Sequence, residues 1–334
     1  MDRIGIIGGG AWGTALAQTL ARAGRTVMLW AHEAETVAAI NDRHENTPFL
    51  PGVTLDPALR ATSELAEATA AEAVLLVVPA QHLRGVTARM ALAPGVPAVI
   101  CAKGIELTSG ALMTEVVAAT LPQAPCAVLS GPTFAAEVAR GQPTAVTLAT
   151  RDRELGQSLV AALGSRTVRP YLSDDPVGAE IGGAVKNVEA IACGIVVGRG
   201  LGENARAAVI TRGLAEMVRL AQAKGGRAET LMGLSGLGDL TLTCTSAQSR
   251  NYSLGVALGR GETLAAILGA RRSIAEGVES APACVALAAR VGVELPIAAA
   301  VAAILHGGGA VDEAIERLLA RPFRAENGGS PPKS

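Results

Sequence analysis

Three glycines near the amino terminus constrain the fold of this 334-residue chain more than any other sequence feature. Gly8 ends the β-branched run RIGIIG (3–8), and Gly10 and Gly13 flank the start of a helical pattern at Trp12. In a G-x-G-x-x-G turn, the first glycine permits a tight turn, the second lets a pyrophosphate approach the backbone, and the third lets the helix pack on the strand. Free N–H groups at the helix N-terminus favour phosphates. The spacing therefore predicts a dinucleotide-binding turn.

Predicted strands alternate with helical patterns throughout the first half of the chain. The run AVLLVV (73–78) is almost wholly apolar, which is typical of a strand buried on both faces of a sheet. Five further runs have the composition of strands: TVMLW (26–30), AVIC (98–101), CAVLS (126–130), TAVTLA (144–149) and RTVRPY (166–171). Strands that alternate with helices predict an α/β domain of the Rossmann type with a mostly parallel sheet.

The strand pattern stops near SDDP (173–176), where candidate N-cap residues precede a proline. The helical patterns that follow cover 176–197, 204–224, 249–258, 279–291, 296–305 and 311–320. We therefore predict a dinucleotide-binding domain over 1–174 and an all-α domain over 175–325. The polar tail ENGGSPPKS (326–334) is expected to be disordered.

Composition excludes several classes of protein. Lys and Arg number 29 against 30 Asp and Glu, so the net charge of −1 argues against nucleic-acid partners or a membrane-surface role. The five cysteines show no CxxC or Cys/His spacing, which argues against a disulfide framework or a metal site. MDRIGIIGGG is not a signal peptide, and no apolar run reaches the roughly 18 residues that span a bilayer. We expect a cytoplasmic protein without membrane insertion, whose Ala- and Gly-rich helices could form a homodimer interface.

The end of the second predicted strand bears on the choice between NAD and NADP. NAD sites usually carry an acidic residue there, which binds the ribose 2′-hydroxyl. The sequence LWAHEAE (29–35) places His32 near that position and Glu33 directly after it. Because a histidine does not repel a 2′-phosphate as a carboxylate would, we expect either NADPH or NADH to be used, with a lean towards NADP. A Glu33 side chain that faces the ribose would favour NAD instead.

A charged amine interrupts the small-residue stretch IGGAVKNVEAIACG (181–194). Taken alone, Lys186 is compatible with a lysine whose stem covers apolar surface while its ammonium group reaches water. The alternative is a functional ammonium group, which requires other polar side chains to converge on it. The remaining motifs bear on this choice.

Two polar patches directly follow predicted strands, at the edge where open α/β sheets bind ligands. CAKGIE (101–106) carries Lys103, and SGPTFAAEV (130–138) carries Gly131 and Thr133 before a helical pattern. Each patch by itself is also compatible with an ordinary Lys-Gly or Gly-Pro turn.

A glycine- and hydroxyl-rich segment, GLSGLGDLTLTCTSAQSRN (233–251), interrupts the helical half. It carries Asp239 after a glycine turn and ends in Ser249, Arg250 and Asn251. A hydroxyl, a guanidinium and an amide beside a helix start suit a phosphate group. Ser249 is equally compatible with a helix cap and Asp239 with a turn residue.

Together these motifs resemble the bacterial-type NAD(P)-dependent glycerol-3-phosphate dehydrogenases. The matching pieces, in the family's order, are GGGAWGTALA (8–17), KGIE (103–106), SGPTFAAEV (130–138), GGAVKNVEAIA (182–192), ITRGLAEM (210–217), GLGDLTLTCTSAQSRN (236–251) and AEGVES (275–280). The resemblance implies a Rossmann domain followed by a helical domain that binds substrate and carries catalytic groups. It also implies reversible hydride transfer between a nicotinamide and C2 of glycerol 3-phosphate or dihydroxyacetone phosphate, which supplies glycerol 3-phosphate for phospholipid synthesis.

The resemblance implies a role for each matching residue. Lys186 matches the lysine that accepts the proton when the alcohol is oxidised, and it contacts the substrate. The other matches to substrate-contacting positions are Lys103, Gly131, Thr133, Asp239, Ser249, Arg250 and Asn251. Beside the three glycines, the matches to cofactor-contacting positions are Ala11, Trp12, His32, Phe49, Lys103, Ala135, Arg250, Ile274 and Glu276. Ala102 and Ala275 depart from the family's usual Thr and Val and leave the assignment intact.

The matched residues suggest a catalytic set of Lys186, Lys103 and Asp239. Lys186 would donate a proton to the ketone oxygen as an ammonium group and accept it back on oxidation, for which a lowered pKa is useful. Burial or a nearby cation such as Lys103 would lower that pKa. Asp239 would orient Lys186 or a substrate hydroxyl, and Asn187 would support the site or merely pack. No metal is expected.

Two alternatives remain open from the sequence. A ketopantoate or β-hydroxyacid reductase has the same build, and the segment Ser249-Arg250-Asn251 would then bind a carboxylate in place of a phosphate. A non-catalytic dinucleotide sensor would retain the Rossmann half and have lost the chemistry; the presence of both Lys186 and Asp239 argues against it.

Overall fold

The computed structural model describes residues 1–270 and 275–323. Eight strands form one sheet: β1 (Arg3–Ile7), β2 (Thr26–Trp30), β3 (Arg60–Thr62), β4 (Ala73–Leu76), β5 (Ala98–Ile100), β6 (Cys126–Ser130), β7 (Thr144–Ala149) and β8 (Val168–Ser173). The helices between them are α1 (Ala11–Arg22), α2 (Ala34–Arg43), α3 (Leu65–Thr69), α4 (Leu83–Thr87), α5 (Met113–Thr120), α6 (Ala135–Ala139) and α7 (Arg153–Leu163). The predicted α/β class is confirmed.

The strand order β3-β2-β1-β4-β5-β6-β7-β8 places the Rossmann switch point between β1 and β4. All neighbouring strands are parallel except β6 and β7, so the sheet is mostly parallel, as predicted. The carboxyl ends of β1, β4, β5 and β6 therefore share one edge. Strand β3 has only three residues, which is too short for a sequence pattern to predict. Its place in the sheet is set by its pairing with β2.

The second half of the described chain is helical. Its helices are α8 (Pro176–Gly198), α9 (Glu203–Ala223), α10 (Ala228–Leu231), α11 (Asp239–Thr245), α12 (Arg250–Gly259), α13 (Leu264–Gly269), α14 (Gly277–Arg290), α15 (Pro296–His306) and α16 (Val311–Leu319). A π-helical turn, Leu234–Gly238, leads directly into α11. The predicted disordered tail, 326–334, lies outside the described residues.

Helix α8 runs through the centre of the helical half, and small residues let its neighbours reach its backbone. The Asp175 side chain caps its start by accepting a hydrogen bond from the Gly178 N–H at 2.9 Å, and Pro176 occupies the first turn. A Cβ on Gly194 would lie 2.1 Å from the carbonyl oxygen of Tyr252 on α12, and a Cβ on Gly255 would lie 2.1 Å from that of Ile191. This mutual approach explains the small-residue stretch around Lys186.

Apolar packing forms separate cores in the two halves of the chain. One core surrounds α8 in the helical half, and two others cover the two faces of the sheet. Ala179 on the first turns of α8 packs into a sheet core, whereas Ile181 packs into the helical core. By length and hydropathy α8 resembles a membrane span, contrary to the expectation from the sequence, but 89% of its apolar window is buried inside the protein. It is therefore a core helix.

Candidate active site

The glycine turn lies between β1 and α1, at the carboxyl edge of the sheet. Gly8 has a φ of +129°, which residues with a side chain rarely adopt, and a Cβ there would lie 2.9 Å from the carbonyl carbon of Val77. A Cβ on Gly13 would lie 1.9 Å from the carbonyl oxygen of Gly8, so a glycine is required for α1 to begin this close to the turn. A Cβ on Gly10 would meet none of the described atoms within 4 Å. The turn thus has the tight bend, the open approach and the helix N-terminus that a pyrophosphate requires.

Lys103 lies just beyond β5, in a loop that neighbouring side chains hold in place. The Gln81 side chain donates a hydrogen bond to the carbonyl oxygen of Ile105 at 2.8 Å. Arg84 donates two hydrogen bonds, each 2.8 Å long, to the buried carboxylate of Glu106. Because bidentate pairs of this kind fix geometry as well as charge, the loop presents Lys103 from a defined position.

Two lysines from different halves of the chain meet on one carboxylate. Lys186 Nζ lies 2.6 Å from Asp239 Oδ1, and Lys103 Nζ lies 2.6 Å from Asp239 Oδ2. Lys103 Nζ also donates to the carbonyl oxygen of Gly131 at 3.1 Å. The Asp239 side chain is 0% exposed and that of Lys186 is 8% exposed, so water screens these charges weakly. Lys186 is therefore not the surface lysine that its sequence alone allowed.

The local charges shift the pKa values of this cluster. The pKa of Lys186 is lowered to about 8, chiefly by burial and also by the Lys103 ammonium, while Asp239 opposes the fall. Burial alone would raise the pKa of Asp239, but the two adjacent ammonium groups outweigh it and hold the pKa below its ordinary value. Asp239 is thus ionised at neutral pH, and Lys186 can both donate and accept a proton near that pH.

Thr243 belongs to the same cluster, although the sequence alone did not single it out. Its hydroxyl accepts a hydrogen bond from Lys186 Nζ at 2.9 Å and donates to the Asp239 carbonyl oxygen at 2.6 Å. The available signal was its spacing, because residues four apart share a face of a helix and Asp239 starts α11. The described residues thus supply acceptors to two of the three N–H groups of the Lys186 ammonium, Asp239 and Thr243.

The end of β6 closes in on the same cluster. A Cβ on Gly131 would lie 2.9 Å from the Cα of Val146 on β7, so the turn needs a residue without a side chain. A Cβ on Gly183 of α8 would lie 3.2 Å from Cγ of Lys103, so this glycine makes room for the lysine stem. Thr133 is half-buried, and its hydroxyl lies 3.4 Å from the Gly131 carbonyl oxygen. Gly131 and Thr133 are thus brought to the lysine pair.

The start of α12 has structural contacts of its own. The Ser249 hydroxyl accepts a hydrogen bond from the Tyr252 N–H at 3.1 Å, which is the capping role considered above. The buried Asn251 amide donates to the Asn187 side chain and accepts from the Gly277 N–H, both at 2.9 Å. Asn187 therefore joins α8 to α12 and thence to α14. These contacts use both oxygens of the amide pair and leave Asn251 one N–H for another acceptor.

The remaining predicted contacts lie around the cluster and the glycine turn. Arg250 is exposed, and its positive charge opposes the burial that raises the pKa of Glu276. His32 follows β2 and Phe49 lies in the loop after α2, and both are exposed. Three of the predicted cofactor contacts are half-buried at helix starts: Ala11, Trp12 and Ala135. Ile274 lies outside the described residues.

The described part of the chain offers no group of three or more His, Cys, Asp or Glu side chains that could hold a metal ion. The five cysteines are free thiols, and four of them are buried. The lysine cluster supports proton transfer beside a dinucleotide turn, through a lysine with a lowered pKa.

Both halves of the chain match one protein family. The family model for the "NAD-dependent glycerol-3-phosphate dehydrogenase N-terminus" matches residues 3–156, and the model for the C-terminus of the same family matches residues 175–316. A "Glycerol-3-phosphate dehydrogenase [NAD(P)+]" of Rhodospirillum rubrum is 65% identical over 98% of this chain and 95% of its own length. The protein of the same name from Parvibaculum lavamentivorans is 59% identical over 97% of this chain and 98% of its own length.

Solved structures agree with these matches. The crystal structure of glycerol-3-phosphate dehydrogenase from Coxiella burnetii is 41% identical, with a TM-score of 0.92 over 96% of this chain and 99% of that one. A ketopantoate reductase from Ralstonia eutropha is 19% identical, with a TM-score of 0.61 over 94% of this chain and 99% of that one. That second likeness concerns the fold alone. It shows that a ketopantoate reductase shares this architecture, and it does not support a reductase activity for this chain.

Proposed function

The chain belongs to the NAD-dependent glycerol-3-phosphate dehydrogenase family and is an NAD(P)-dependent oxidoreductase, and from this premise we propose that Lys186 exchanges the proton of the reaction. The observation that carries the proposal is the convergence of Lys103 and Lys186 on the buried carboxylate of Asp239. Asp239 orients both ammonium groups. Lys103 lowers the pKa of Lys186 and presents a second positive charge to the substrate.

The substrate of this site is dihydroxyacetone phosphate in one direction and sn-glycerol 3-phosphate in the other. The activity for which the relatives are named supports this choice, and so does a guanidinium at the first turn of α12, where helix N–H groups also favour anions. Arg250 binds the phosphate, aided by Ser249 and Asn251. Lys103, Gly131 and Thr133 contact the three-carbon body. Binding of the remote phosphate positions the reacting carbon.

The residues of the glycine turn fit a nicotinamide dinucleotide, because Gly8 and Gly13 make the close turn and Gly10 leaves an open approach. When bound, the nicotinamide supplies hydride to C2 of the ketone or takes it back. The residues that we assign to the cofactor are Gly8, Gly10, Ala11, Trp12, Gly13, His32, Phe49, Lys103, Ala135, Arg250, Ile274 and Glu276. We favour NADPH over NADH, since the exposed His32 can donate a hydrogen bond to a 2′-phosphate.

In the reduction, Lys186 donates a proton to the ketone oxygen as negative charge develops on it. The ammonium group keeps its hydrogen bonds to Asp239 and Thr243, so it is already oriented before the substrate arrives. In the oxidation, neutral Lys186 accepts the proton of the C2 hydroxyl. A pKa of about 8 suits both directions near neutral pH, whereas an unperturbed lysine at about 10.4 would rarely be a base there.

The proposal is tested by following NADPH oxidation with dihydroxyacetone phosphate, beside unphosphorylated dihydroxyacetone and 2-ketoacids. We expect activity with the phosphate ester. Lys186→Met should lower kcat roughly 10²- to 10⁴-fold, because it removes the proton donor, while NADPH affinity by fluorescence titration stays within about twofold. A variant with activity within tenfold of wild type would contradict the proton role, and a preference for ketoacids would contradict the substrate.

We further propose that residues 1–174 bind the dinucleotide and residues 175–325 bind the substrate, in a cytoplasmic enzyme that supplies glycerol 3-phosphate for phospholipid synthesis. A homodimer is the proposed assembly, which light scattering of the purified protein tests directly.

A further inference from the structure

Glu180 joins the two halves of the chain close to the lysine pair. It lies on the second turn of α8, and its side chain crosses to the first turn of α5 on the sheet side. Glu180 Oε1 accepts a hydrogen bond from the Thr114 N–H at 2.8 Å, and Oε2 accepts one from the Thr114 hydroxyl at 2.7 Å. The carboxyl group is buried, and both of its oxygens are used in this contact.

This contact caps a helix from another part of the chain. The first N–H groups of a helix lack partners within the helix, and an acceptor there also interacts favourably with the helix dipole. Thr114 is the second residue of α5, so Glu180 supplies such an acceptor from 66 residues away. The charged or titratable groups that face Glu180 are Glu115 on α5, which Lys224 of α9 pairs, and Cys126 on β6. Burial raises the pKa of Glu180 to about 7, against the pull of the Thr114 hydrogen bonds.

The capping contact lies one helical turn from the site of Lys103. Gly183 follows Glu180 by three residues, so both face the same side of α8. A Cβ on Gly183 would lie 3.0 Å from the Ser130 hydroxyl oxygen and 3.2 Å from Cγ of Lys103. The chain between β5 and α5 carries Lys103 at one end and meets Glu180 at the other. A shift of α8 against α5 would therefore change the distance between α8 and the Lys103 stem.

We propose that Glu180 is a positioning residue: by capping α5 it fixes the seat of α8 on the sheet side, so that Lys186 and Lys103 meet on Asp239. The inference rests on the proposed function of that lysine pair. Neither Glu180 nor Thr114 contacts the reacting groups. Their effect is transmitted by the placement of two backbones, for which a displacement of about 1 Å can cost up to about 10²-fold in rate.

The test compares variants on both sides of the contact. Glu180→Ala should lower kcat with dihydroxyacetone phosphate about tenfold or more, because α8 loses its attachment to α5. Thr114→Val removes the hydroxyl donor and keeps the N–H, so we expect about a threefold loss, whereas Thr114→Ser retains both donors and should match wild type. The losses from Glu180→Ala and Thr114→Val should not add in the double variant, since both break one contact.

A pH profile separates positioning from simple stabilisation. Burial and the Lys103 ammonium lower the pKa of Lys186, while Asp239 and Glu276 raise it. A loosened α8 weakens all of these influences. Because burial is the largest of them and lowers the pKa, the apparent pKa for reduction should rise in Glu180→Ala. A lowered Tm, together with kcat within twofold of wild type and an unchanged apparent pKa, would overturn the inference. If Glu180→Ala does not fold, Glu180→Gln and Thr114→Val carry the same test. Failure of the wild type with dihydroxyacetone phosphate, or full activity of Lys186→Met, contradicts the proposed function instead.

Discussion

Lys186 and Glu189 lie one turn apart on α8, and their surroundings have opposite effects on their charges. The Lys186 ammonium has hydrogen bonds to Asp239 at 2.6 Å and Thr243 at 2.9 Å. Both carboxyl oxygens of Glu189 are buried and accept no hydrogen bond from the residues that the structure describes. Burial, followed by the charge of Glu216, raises the pKa of Glu189 well above its ordinary value.

The difference shows what a buried ionisable group needs in order to keep its charge. A buried charge is retained only where a partner compensates for the lost hydration, and otherwise the group becomes neutral. The segment 239–243 provides that compensation for Lys186. Glu216 provides none for Glu189, because it is a second acid and its charge raises the pKa of Glu189. The Glu216 oxygens accept the N–H groups of Ile297 and Ala298 at the start of α15. Lys186 therefore keeps a compensated charge, as the proposed proton transfer requires, whereas the raised pKa of Glu189 favours its neutral form.

Removal of the compensating carboxylate should have the largest effect. Asp239→Asn leaves two ammonium groups facing one neutral amide, which can accept from only one of them. Breaking a buried pair in this way costs about 3–5 kcal/mol of unfolding free energy, and we expect kcat to fall by about 10²-fold or more. Thermal unfolding and steady-state kinetics measure the two effects. The double variant with Lys186→Met should be no slower than Lys186→Met alone; independent, multiplying losses would contradict a shared unit.

The pH dependence of the two reaction directions should show a smaller effect of the same cluster. Reduction needs protonated Lys186, whose pKa is about 8, so kcat for reduction should be level below that pH and fall up to about tenfold per pH unit above it. Oxidation needs the neutral amine and should rise towards pH 8 and then level off. In Asp239→Asn the midpoint should move down, since Asp239 raises the pKa of Lys186. A reduction rate that stays level to pH 10 would argue against Lys186 as the proton donor.

The sequence was sufficient for the parts of the molecule that depend on local backbone rules. The glycine turn, the alternation of strands and helices and the change to helices near Asp175 all follow from short-range pattern. The roles of Lys103 and Asp239 came from the family resemblance, because nothing local relates residues 136 positions apart. The meeting of Lys103 and Lys186 on the Asp239 carboxylate depends on the tertiary structure, as does the hydrogen bond from Lys186 to Thr243.

Other contributions to the site were beyond sequence reasoning for the same reason. Gly183 appears as one small residue among many, and its purpose is clear only when the Lys103 stem is seen beside it. Glu180 appears as an ordinary polar residue on an apolar helix, and its partner lies 66 residues earlier in the chain. Asn251 was expected to bind phosphate, and its amide also bridges Asn187 to the Gly277 N–H. Periodicity places such residues on a helix without telling which neighbour they meet.

The smallest expected effect concerns Glu189, and it tests the neutral half of the comparison. Its folded-state pKa is raised, whereas in the unfolded chain a glutamate titrates near 4.3, so the folded protein holds more protons above that pH. The contribution of Glu189 to stability is therefore lost as pH rises, by up to about 1.4 kcal/mol of unfolding free energy per pH unit. Glu189→Gln cannot ionise, so its stability relative to wild type should be lowest at pH 5 and should grow at pH 7 and 8.5.

Urea unfolding at the three pH values measures this growing difference. Glu313→Gln on the exposed face of α16 is the matched control, and it should leave the pH dependence of stability as it is in wild type. Because Glu189 lies outside the lysine cluster, kcat of Glu189→Gln should stay within about twofold of wild type. A difference in unfolding free energy that is the same at all three pH values would mean that Glu189 is ionised in the folded protein. The contrast with Lys186 would then fail, since both buried groups would carry charge and only one would have a partner.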